Sequence, residues 1–314
     1  MYAKNINKKI FPASLTKLMT ALLLIDKYNL TDEIEINLPE DYLYEGKVAY
    51  LTNGQVINVE TLLEFILIYS ANDACFAAAL SVSDSVDTFV SLMNFKADEL
   101  GMNNTNFTNP DGLDDINHFT TLNDLLLMSK EILKNYELVT LIIKPSFTSN
   151  IQGSDKLYEN TNKLIKDDFI GLKTGWTNEA GLTFIGLNQT NDRNILTIVN
   201  KSIVNENKDN HFIDTKILYK ESIENYDKIS IIDKNQDLYR LRNSSKIKII
   251  KATKEWKMFG NKSYQNTIYL NSFTIDKLQL ETNDQKLSIK FLNTENKILW
   301  NFDFLKLLKL IANQ

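Results

Sequence analysis

The chain has 314 residues, 43% of them hydrophobic and 24% charged, a composition typical of a globular protein with a sizeable core and room for two domains. Its formal net charge of −5 offers no basic surface to a nucleic acid. The single cysteine, Cys75, excludes an internal disulfide, and two isolated histidines show no zinc-site spacing, so we expect neither a metal nor a cofactor.

The first half of the chain is predicted to be mostly helical. Helix-forming residues at 15–25 follow Pro12-Ala13-Ser14, so we expect a helix whose first turn begins at the serine. Loops rich in Asn, Asp and Gly, such as residues 103–112, separate the later segments. Those segments have helical periodicity and cover residues 59–80, 86–100 and 122–135.

The second half changes to β-type patterns. Short β-rich runs at 181–187 and 194–199 precede an amphipathic helix at 212–224, an order of elements that indicates an α+β fold. From residue 228 to 291 apolar and polar residues alternate, which predicts a small separate all-β domain. The expected parts of the chain are therefore domains at 1–225 and 226–296 and a C-terminal segment at 297–314.

The C-terminal segment combines apolar and charged residues. On a helix, Asp303, Lys306 and Lys309 form one narrow polar stripe, and the remaining arc is apolar and begins with aromatic residues. Residues 298–312 reach roughly 22 Å at about 1.5 Å each, too short for a hydrocarbon core about 30 Å thick. We expect an amphipathic helix that lies on a membrane surface; a helix covering the core of the β domain is the alternative.

Three short motifs carry the chemistry. Ser14-Leu15-Thr16-Lys17 places a hydroxyl and an ammonium on one helix face, about one turn apart. A serine needs such a neighbour, because its hydroxyl is a poor nucleophile until a base accepts its proton. Ser70-Ala71-Asn72 and Lys173-Thr174-Gly175, the latter on a predicted strand, follow in the order of the signature S-x-x-K, S-D-N and K-T-G.

With these motifs the sequence resembles the low-molecular-mass D-alanyl-D-alanine carboxypeptidases, which are penicillin-binding serine peptidases. The likeness covers about residues 4–225 and includes two further stretches, 101–113 and 118–125. It implies the penicillin-binding fold, an antiparallel sheet flanked by helices with a helical subdomain, followed by the small β domain. The middle motif reads S-A-N here, where the signature has S-D-N.

The resemblance implies a catalytic role for five motif residues. Ser14 is the nucleophile that attacks the carbonyl between the two terminal D-alanines, and Lys17 accepts its proton. Ser70 and Lys173 pass a proton to the leaving amine. Asn72 holds the substrate amide.

Further residues are expected to bind the substrate. Thr174 contacts the terminal carboxylate, and the backbone N–H groups of Ser14 and Trp176, beside Gly175, form the oxyanion hole. His211 falls at about the position of an arginine that the family places near this carboxylate; a surface histidine is the alternative. Histidine titrates near 6.5 and donates one hydrogen bond at a time, so this role predicts weaker carboxylate binding above neutrality.

The predicted function is a serine-type D-alanyl-D-alanine carboxypeptidase that trims peptidoglycan stem peptides and that β-lactam antibiotics acylate at Ser14. Such an enzyme acts in the cell envelope, here peripherally on the outer face of the cytoplasmic membrane through the C-terminal helix. The sequence begins without the apolar core of a secretory signal and without the first strand of the sheet. We therefore expect the natural chain to start further upstream.

Two other functions stay open. A β-lactamase-like hydrolase needs a glutamate that activates the deacylating water, and Glu131 is the nearest candidate by spacing, although it continues an apolar helical pattern. A non-catalytic protein that binds the cell wall or β-lactams is the second, although such a protein has no reason to keep all five catalytic residues. Asp73 and His118 are expected to be structural.

Overall fold

The computed structural model describes residues 3–167, 169–189 and 193–232, and beyond them six strands. Those strands are Asp237–Asn243, Lys246–Lys251, Trp256–Asn261, Lys277–Asn283, Lys286–Leu292 and Ile298–Asp303. Residue contacts divide the chain into a larger unit that ends at Lys220 and a smaller unit that begins at Glu221.

Several helices of the larger unit pack on one central helix. A short 3-10 helix, Ala13–Thr16, leads into this helix, α1 (Lys17–Lys27). Later helices pack on α1, whose side chains are buried over most of its length. The others are α2 (Val59–Glu64), α3 (Asn72–Val82), α4 (Val86–Glu99), α5 (Leu122–Ile132), α6 (Tyr136–Ile142) and α7 (Asn210–Asn225).

Four of these helices begin where the sequence provides a capping side chain. Asn58, Ser85, Thr121 and Asn135 have extended backbones, and each side chain accepts the backbone N–H three residues later. This bond satisfies one of the donors that a helix start leaves without a partner, which is why the predicted helix starts at 59, 86 and 122 agree with the structure.

The helix predicted at 59–80 is interrupted in the middle. After α2 the backbone widens into a π-helical turn, Phe65–Tyr69, and Ser70 then adopts a left-handed conformation (φ 70°, ψ 35°). Ala71 is extended, and α3 begins at Asn72. Apolar periodicity continues through the break because the flanking side chains stay buried, so periodicity alone could not show it.

The sheet of the larger unit is antiparallel, as predicted. Its strands are β5 (Lys173–Thr177), β6 (Gly181–Gln189) and β7 (Asn194–Ser202), in the order β5-β6-β7. β6 is buried along nearly its whole length, and β5 is an edge strand of the described sheet that packs on the 3-10 helix. Two short ribbons, β1 (Glu33–Glu35) with β2 (Val56–Asn58) and β3 (Ser146–Ser149) with β4 (Lys156–Glu159), complete this unit.

The described part of the smaller unit after α7 consists of antiparallel strands. β8 (Tyr226–Ile232) pairs with β11 (Trp256–Asn261), and β9 (Asp237–Asn243) pairs with β10 (Lys246–Lys251). β12 (Lys277–Asn283), β13 (Lys286–Leu292) and β14 (Ile298–Asp303) form a three-stranded sheet in that order.

The helix predicted from residue 298 is wrong for its first six residues. They form β14, which pairs with β13. Trp300-Asn301-Phe302-Asp303 alternates apolar and polar residues, so these residues fit a strand as well as the start of an amphipathic helix, and pairing with β13 satisfies their backbone. Residues 304–314, with Lys306 and Lys309, lie outside the described part.

Among the described residues no single helix is both long and apolar enough to cross a membrane. Only α3 and α4 together, a pair bent by 88°, reach the required length and hydropathy.

Candidate active site

The first motif places Ser14 beside Lys17 at the junction of the 3-10 helix and α1. Lys17 Nζ lies 3.1 Å from Ser14 Oγ, because residues three apart lie on one face of a helix. Ala13 has a positive φ of 50°, and a Cβ on Gly112 would lie 1.9 Å from its carbonyl oxygen. The turn that presents Ser14 therefore depends on glycine in the loop that faces it.

The Lys17 ammonium is completely buried and fully engaged. Besides Ser14 Oγ, it donates to Asn72 Oδ1 at 2.7 Å and to the backbone carbonyl of Asp111 at 2.6 Å. These bonds leave the side chain one position, directed at the serine hydroxyl. The first and second motifs, 55 residues apart in sequence between Lys17 and Asn72, thus meet at one nitrogen atom.

Ser70 and Lys173 form the second hydroxyl–amine pair of the site. The left-handed backbone of Ser70, at the end of the π-helical turn, lets its Oγ accept a hydrogen bond of 2.8 Å from Lys173 Nζ. Lys173 is buried at the start of β5. Burial first, and then the positive charges of Lys17 and Lys47, hold the pKa of Lys173 well below its usual range.

Asn72 joins the site to the loop at residues 45–47. Its backbone N–H donates to the Lys47 carbonyl at 2.7 Å, and its Nδ2 donates to the Glu45 carbonyl at 2.8 Å. A Cβ on Gly46 would lie 2.7 Å from Nδ2, so glycine allows this close approach. The amide is therefore oriented with its oxygen toward Lys17.

The third motif brings strand β5 against Ser14. A Cβ on Gly175 would lie 3.1 Å from the backbone nitrogen of Ser14, so only glycine permits the observed approach. Trp176, the next residue, has a side chain that is 43% exposed, and Thr174 is half-buried with its Oγ1 bonded to Thr161 Oγ1 at 2.7 Å. The arrangement places the Gly175 backbone next to the Ser14 amide, and the N–H of the following residue, Trp176, is the second donor that an oxyanion hole would need.

The structure gives no support to the predicted contact between His211 and the substrate. The ring lies in the first turn of α7, only 4% exposed, against Phe184 and Phe212. Burial lowers the pKa of His211 to about 4, so the side chain is neutral at working pH. The family resemblance gave the position of His211 along α7, but it could not show that the face of α7 that carries His211 packs on Phe184 of β6.

A different cation lies near the end of β5. Lys208 Nζ is 3.6 Å from the centroid of the Trp176 ring, a cation–π contact beside the K-T-G strand. Sequence reasoning missed Lys208, and it also missed Thr161 and the Asp111 carbonyl. The Asn109-Pro110-Asp111-Gly112 loop had a signal, since it belongs to the stretches that carry the resemblance, whereas Lys208 and Thr161 had none.

His118 and Asp73 are structural, as expected. His118 Nδ1 accepts the Thr108 backbone N–H at 3.0 Å, and its Nε2 lies 2.8 Å from Thr16 Oγ1. Burial lowers the pKa of His118 to about 4. The two bonds of the His118 ring connect the 108–118 loop to the turn of Ser14. The buried Asp73 carboxylate accepts backbone N–H groups of Ala49 and Leu51, both at 2.9 Å.

Glu131 is not in the site. It lies near the exposed C-terminal end of α5, where its carboxylate pairs with Lys134 at 2.6 Å in an i,i+3 ion pair. Its carboxylate makes no hydrogen bond or ion pair with Ser14, Lys17, Ser70 or Lys173. Among the described residues no group of three or more His, Cys, Asp or Glu side chains could hold a metal ion.

Comparison with known proteins agrees with this geometry. The family model that matches residues 1–202 is described as Peptidase S11, D-alanyl-D-alanine carboxypeptidase. D-alanyl-D-alanine carboxypeptidase DacF of Bacillus subtilis is 38% identical over 189 residues, which are 57% of this chain and 48% of DacF. DacC of Escherichia coli is 31% identical over 210 residues, 62% of this chain and 51% of DacC. The chain thus spans about half the length of the curated relatives it matches.

Solved structures show the same fold. Penicillin-binding protein D2 of Listeria monocytogenes, solved in a cefotaxime-bound form, is 30% identical with a TM-score of 0.61; the match covers 71% of this chain and 91% of that one. Penicillin-binding protein 6B of Escherichia coli has a TM-score of 0.70 at 23% identity, covering 96% of this chain and 89% of that one. The second likeness supports the penicillin-binding fold alone.

Proposed function

Because this chain belongs to the D-alanyl-D-alanine carboxypeptidase family, we propose that it is a serine hydrolase that removes the terminal D-alanine from peptidoglycan stem peptides. The observation that carries the proposal is the buried Lys17 ammonium, held by Asn72 and Asp111 so that it faces Ser14 Oγ. A surface serine–lysine pair has no such fixed geometry. Family membership also supports a role outside the cytoplasm, in the cell envelope.

Acylation uses the first hydroxyl–amine pair. The reaction requires an unprotonated Lys17: its two N–H groups can keep the bonds to Asn72 and Asp111 while its lone pair accepts the Ser14 hydroxyl proton as Oγ attacks the carbonyl carbon between the two D-alanines. The developing oxyanion accepts hydrogen bonds from the backbone N–H groups of Ser14 and Trp176, donors that each contribute typically about 2.7–4 kcal/mol. Because these donors are fixed by the packing of Gly175 on the Ser14 turn, they need no rearrangement during the reaction.

The second pair serves the leaving group. Collapse of the tetrahedral intermediate breaks the C–N bond, and Ser70 passes a proton to the departing D-alanine amine and is reprotonated by Lys173. The lowered pKa of Lys173 makes its ammonium a readier proton donor than an ordinary lysine. Water then attacks the Ser14 ester and gives a proton to the Lys173 amine, while Lys17 returns its proton to Ser14 Oγ, so the shortened peptide leaves and the serine and both lysines regain their starting states.

A β-lactam presents an acyl carbon to the same serine, so we propose that these antibiotics acylate Ser14. Fluorescent penicillin should add one label to each folded chain, with the mass shift on the peptide that contains Ser14. Ser14→Ala should take up no label, whereas Ser91→Ala, an exposed serine on α4, should label like wild type. Labelling of Ser14→Ala at the wild-type level would contradict the assignment.

Release of D-alanine separates an enzyme from a binding protein. A peptide ending in D-Ala-D-Ala should lose one D-alanine, detected by a coupled assay or by mass spectrometry. A chain that forms the penicillin adduct but releases no D-alanine from any such peptide would instead be the non-catalytic binding protein. Because residues 298–303 form β14, only residues 304–314 could form the membrane-surface helix, and attachment to a membrane surface stays a prediction.

A further inference from the structure

Two exposed tyrosines stand next to the catalytic amide. Tyr44 and Tyr50, here called the tyrosine platform, flank residues 45–47, whose carbonyls bind Asn72. Their side chains are 45% and 59% exposed, and their rings stack with centroids 5.8 Å apart and planes 27° apart. Burying such rings normally stabilises a protein, so two stacked rings left exposed beside the loop that binds Asn72 need an explanation.

The platform is fixed rather than loose. Tyr44 donates its hydroxyl to the Leu51 carbonyl at 2.7 Å, and the half-buried Tyr42 supports it edge-on at 5.1 Å while packing on Phe76 of α3. Because the rings are already held in place, binding a ligand does not cost the conformational entropy that ordering a flexible loop would cost. A rigid aromatic surface is therefore ready before substrate arrives.

Tyr50 is held in a conformation that a tyrosine rarely adopts. Its φ is +60°, in the left-handed region where a Cβ is strained. The residues on both sides, Ala49 and Leu51, donate their backbone N–H groups to the buried carboxylate of Asp73, which directly follows Asn72 in α3. The same helix therefore orients the catalytic amide and keeps Tyr50 facing outward against its own preference.

The charges around the platform favour a cation. Glu40, Asp41 and Glu45 are exposed and form no ion pair with any described residue. The one cation between residues 40 and 50, Lys47, has its ammonium 4.0 Å from the centroid of the Tyr69 ring. Aromatic faces attract ammonium groups, and three exposed carboxylates carried by the same segment, residues 40–50, would add to that attraction.

We propose that the tyrosine platform binds a primary-ammonium side chain of the stem peptide, on the amino-terminal side of the scissile D-Ala–D-Ala bond. This inference rests on the proposed function and adds to it a preference among stem peptides. The resemblance assigns the substrate amide to Asn72, whose Nδ2 also donates to the Glu45 carbonyl at 2.8 Å, so a substrate residue held beside Asn72 would lie next to the 45–47 loop.

The test compares two peptides that differ in one charge. Both end in L-Lys-D-Ala-D-Ala; one has a free ε-amine and the other has the same amine acetylated, assayed at pH 7, where the free amine is charged. Wild type should show a kcat/KM about threefold to tenfold higher for the free amine, since exposed cation–π contacts and nearby carboxylates give effects of that order.

Substitutions locate the preference in the platform. Tyr50→Asn, whose residue type tolerates a left-handed backbone, and Tyr44→Leu should each bring the ratio of the two kcat/KM values toward one. Tyr44→Phe keeps the ring and its edge-on support from Tyr42 but loses the bond to Leu51, so it should keep most of the ratio. Tyr136→Leu changes a tyrosine that is 81% exposed on α6 and should not alter the ratio. A ratio measured on one sample does not depend on the folded fraction, so partial unfolding cannot mimic the result.

The outcomes separate the two proposals. Equal hydrolysis of both peptides by wild type, or an unchanged ratio in both Tyr50→Asn and Tyr44→Leu, would overturn the platform inference and leave the carboxypeptidase proposal standing. If neither peptide releases D-alanine while penicillin still labels Ser14, the proposed function falls and the inference falls with it.

Discussion

Adding one methyl group at Gly175 should separate the oxyanion hole from the nucleophile. In Gly175→Ala the new Cβ would lie 2.6 Å from Thr183 Oγ1, 3.1 Å from Ser14 N and 3.2 Å from Ala13 Cβ. The first contact lies far inside normal van der Waals distance and the other two are tight, so β5 must move away from the 3-10 helix. We estimate a movement of about 0.5 Å, the order needed to restore ordinary contact distances.

The expected cost follows from that movement. A misplacement of about 1 Å can reduce catalysis roughly 100-fold, so about 0.5 Å corresponds to roughly a tenfold loss in acylation rate. Overpacking should also lower the free energy of unfolding by about 1–3 kcal/mol. Acylation is measured by stopped-flow with a chromogenic cephalosporin, and stability by urea denaturation.

Two further variants separate catalysis from stability. Gly186→Ala introduces comparable clashes on β6, 2.7 Å from Phe184 Cε1 and 3.0 Å from Thr197 Oγ1, but not against Ser14. It should lose stability and keep the acylation rate of its folded fraction. Adding Thr183→Ala to Gly175→Ala removes the 2.6 Å contact and should recover most of the stability, but only part of the rate. Wild-type acylation by Gly175→Ala would show that the approach of β5 to Ser14 has no catalytic role.

Three other changes test separate parts of the structure. Burial and two cations hold the pKa of Lys173 below 10.5, so the unfolded chain binds more protons than the folded one, and the free energy of unfolding of wild type should rise with pH from the folded pKa of Lys173 up to about 10.5. Lys173→Met should lack this rise when both proteins are denatured at pH values from 7 to 10. If the free energies of unfolding of wild type and Lys173→Met change with pH in parallel, the reasoning is wrong. His211→Arg should lower the melting temperature, because it buries a charge among Phe184 and Phe212. If the variant instead has an unchanged melting temperature and a lower KM for a D-Ala-D-Ala peptide, His211 does contact the substrate. Deleting residues 304–314 should release the protein from sedimenting anionic liposomes at low salt while keeping penicillin labelling, and a full chain that stays in the supernatant would refute the surface anchor.

The sequence by itself determined the geometry of the first motif and much of the larger unit. Ser14 and Lys17 meet because any two residues three apart on a helix are neighbours on its surface. The caps at Ser85 and Thr121 likewise fix helix starts by bonds to the chain's next turn. Such features depend on neighbours in sequence, so the predicted α+β order and the proximity of Ser14 to Lys17 could be stated without a structure.

Only the tertiary structure decided what depends on the packing of distant segments. The left-handed Ser70, the Asp111 carbonyl on Lys17 and the outward-facing Tyr50 each result from contacts with parts of the chain that periodicity does not describe. His211 shows the same limit, since its position on α7 was predictable but the face it presents to Phe184 was not. Residues 298–303 fit a helix and a strand equally well, and pairing with β13 selected the strand. Where one sequence pattern satisfies two local structures, the partner that satisfies its backbone hydrogen bonds determines which of them forms.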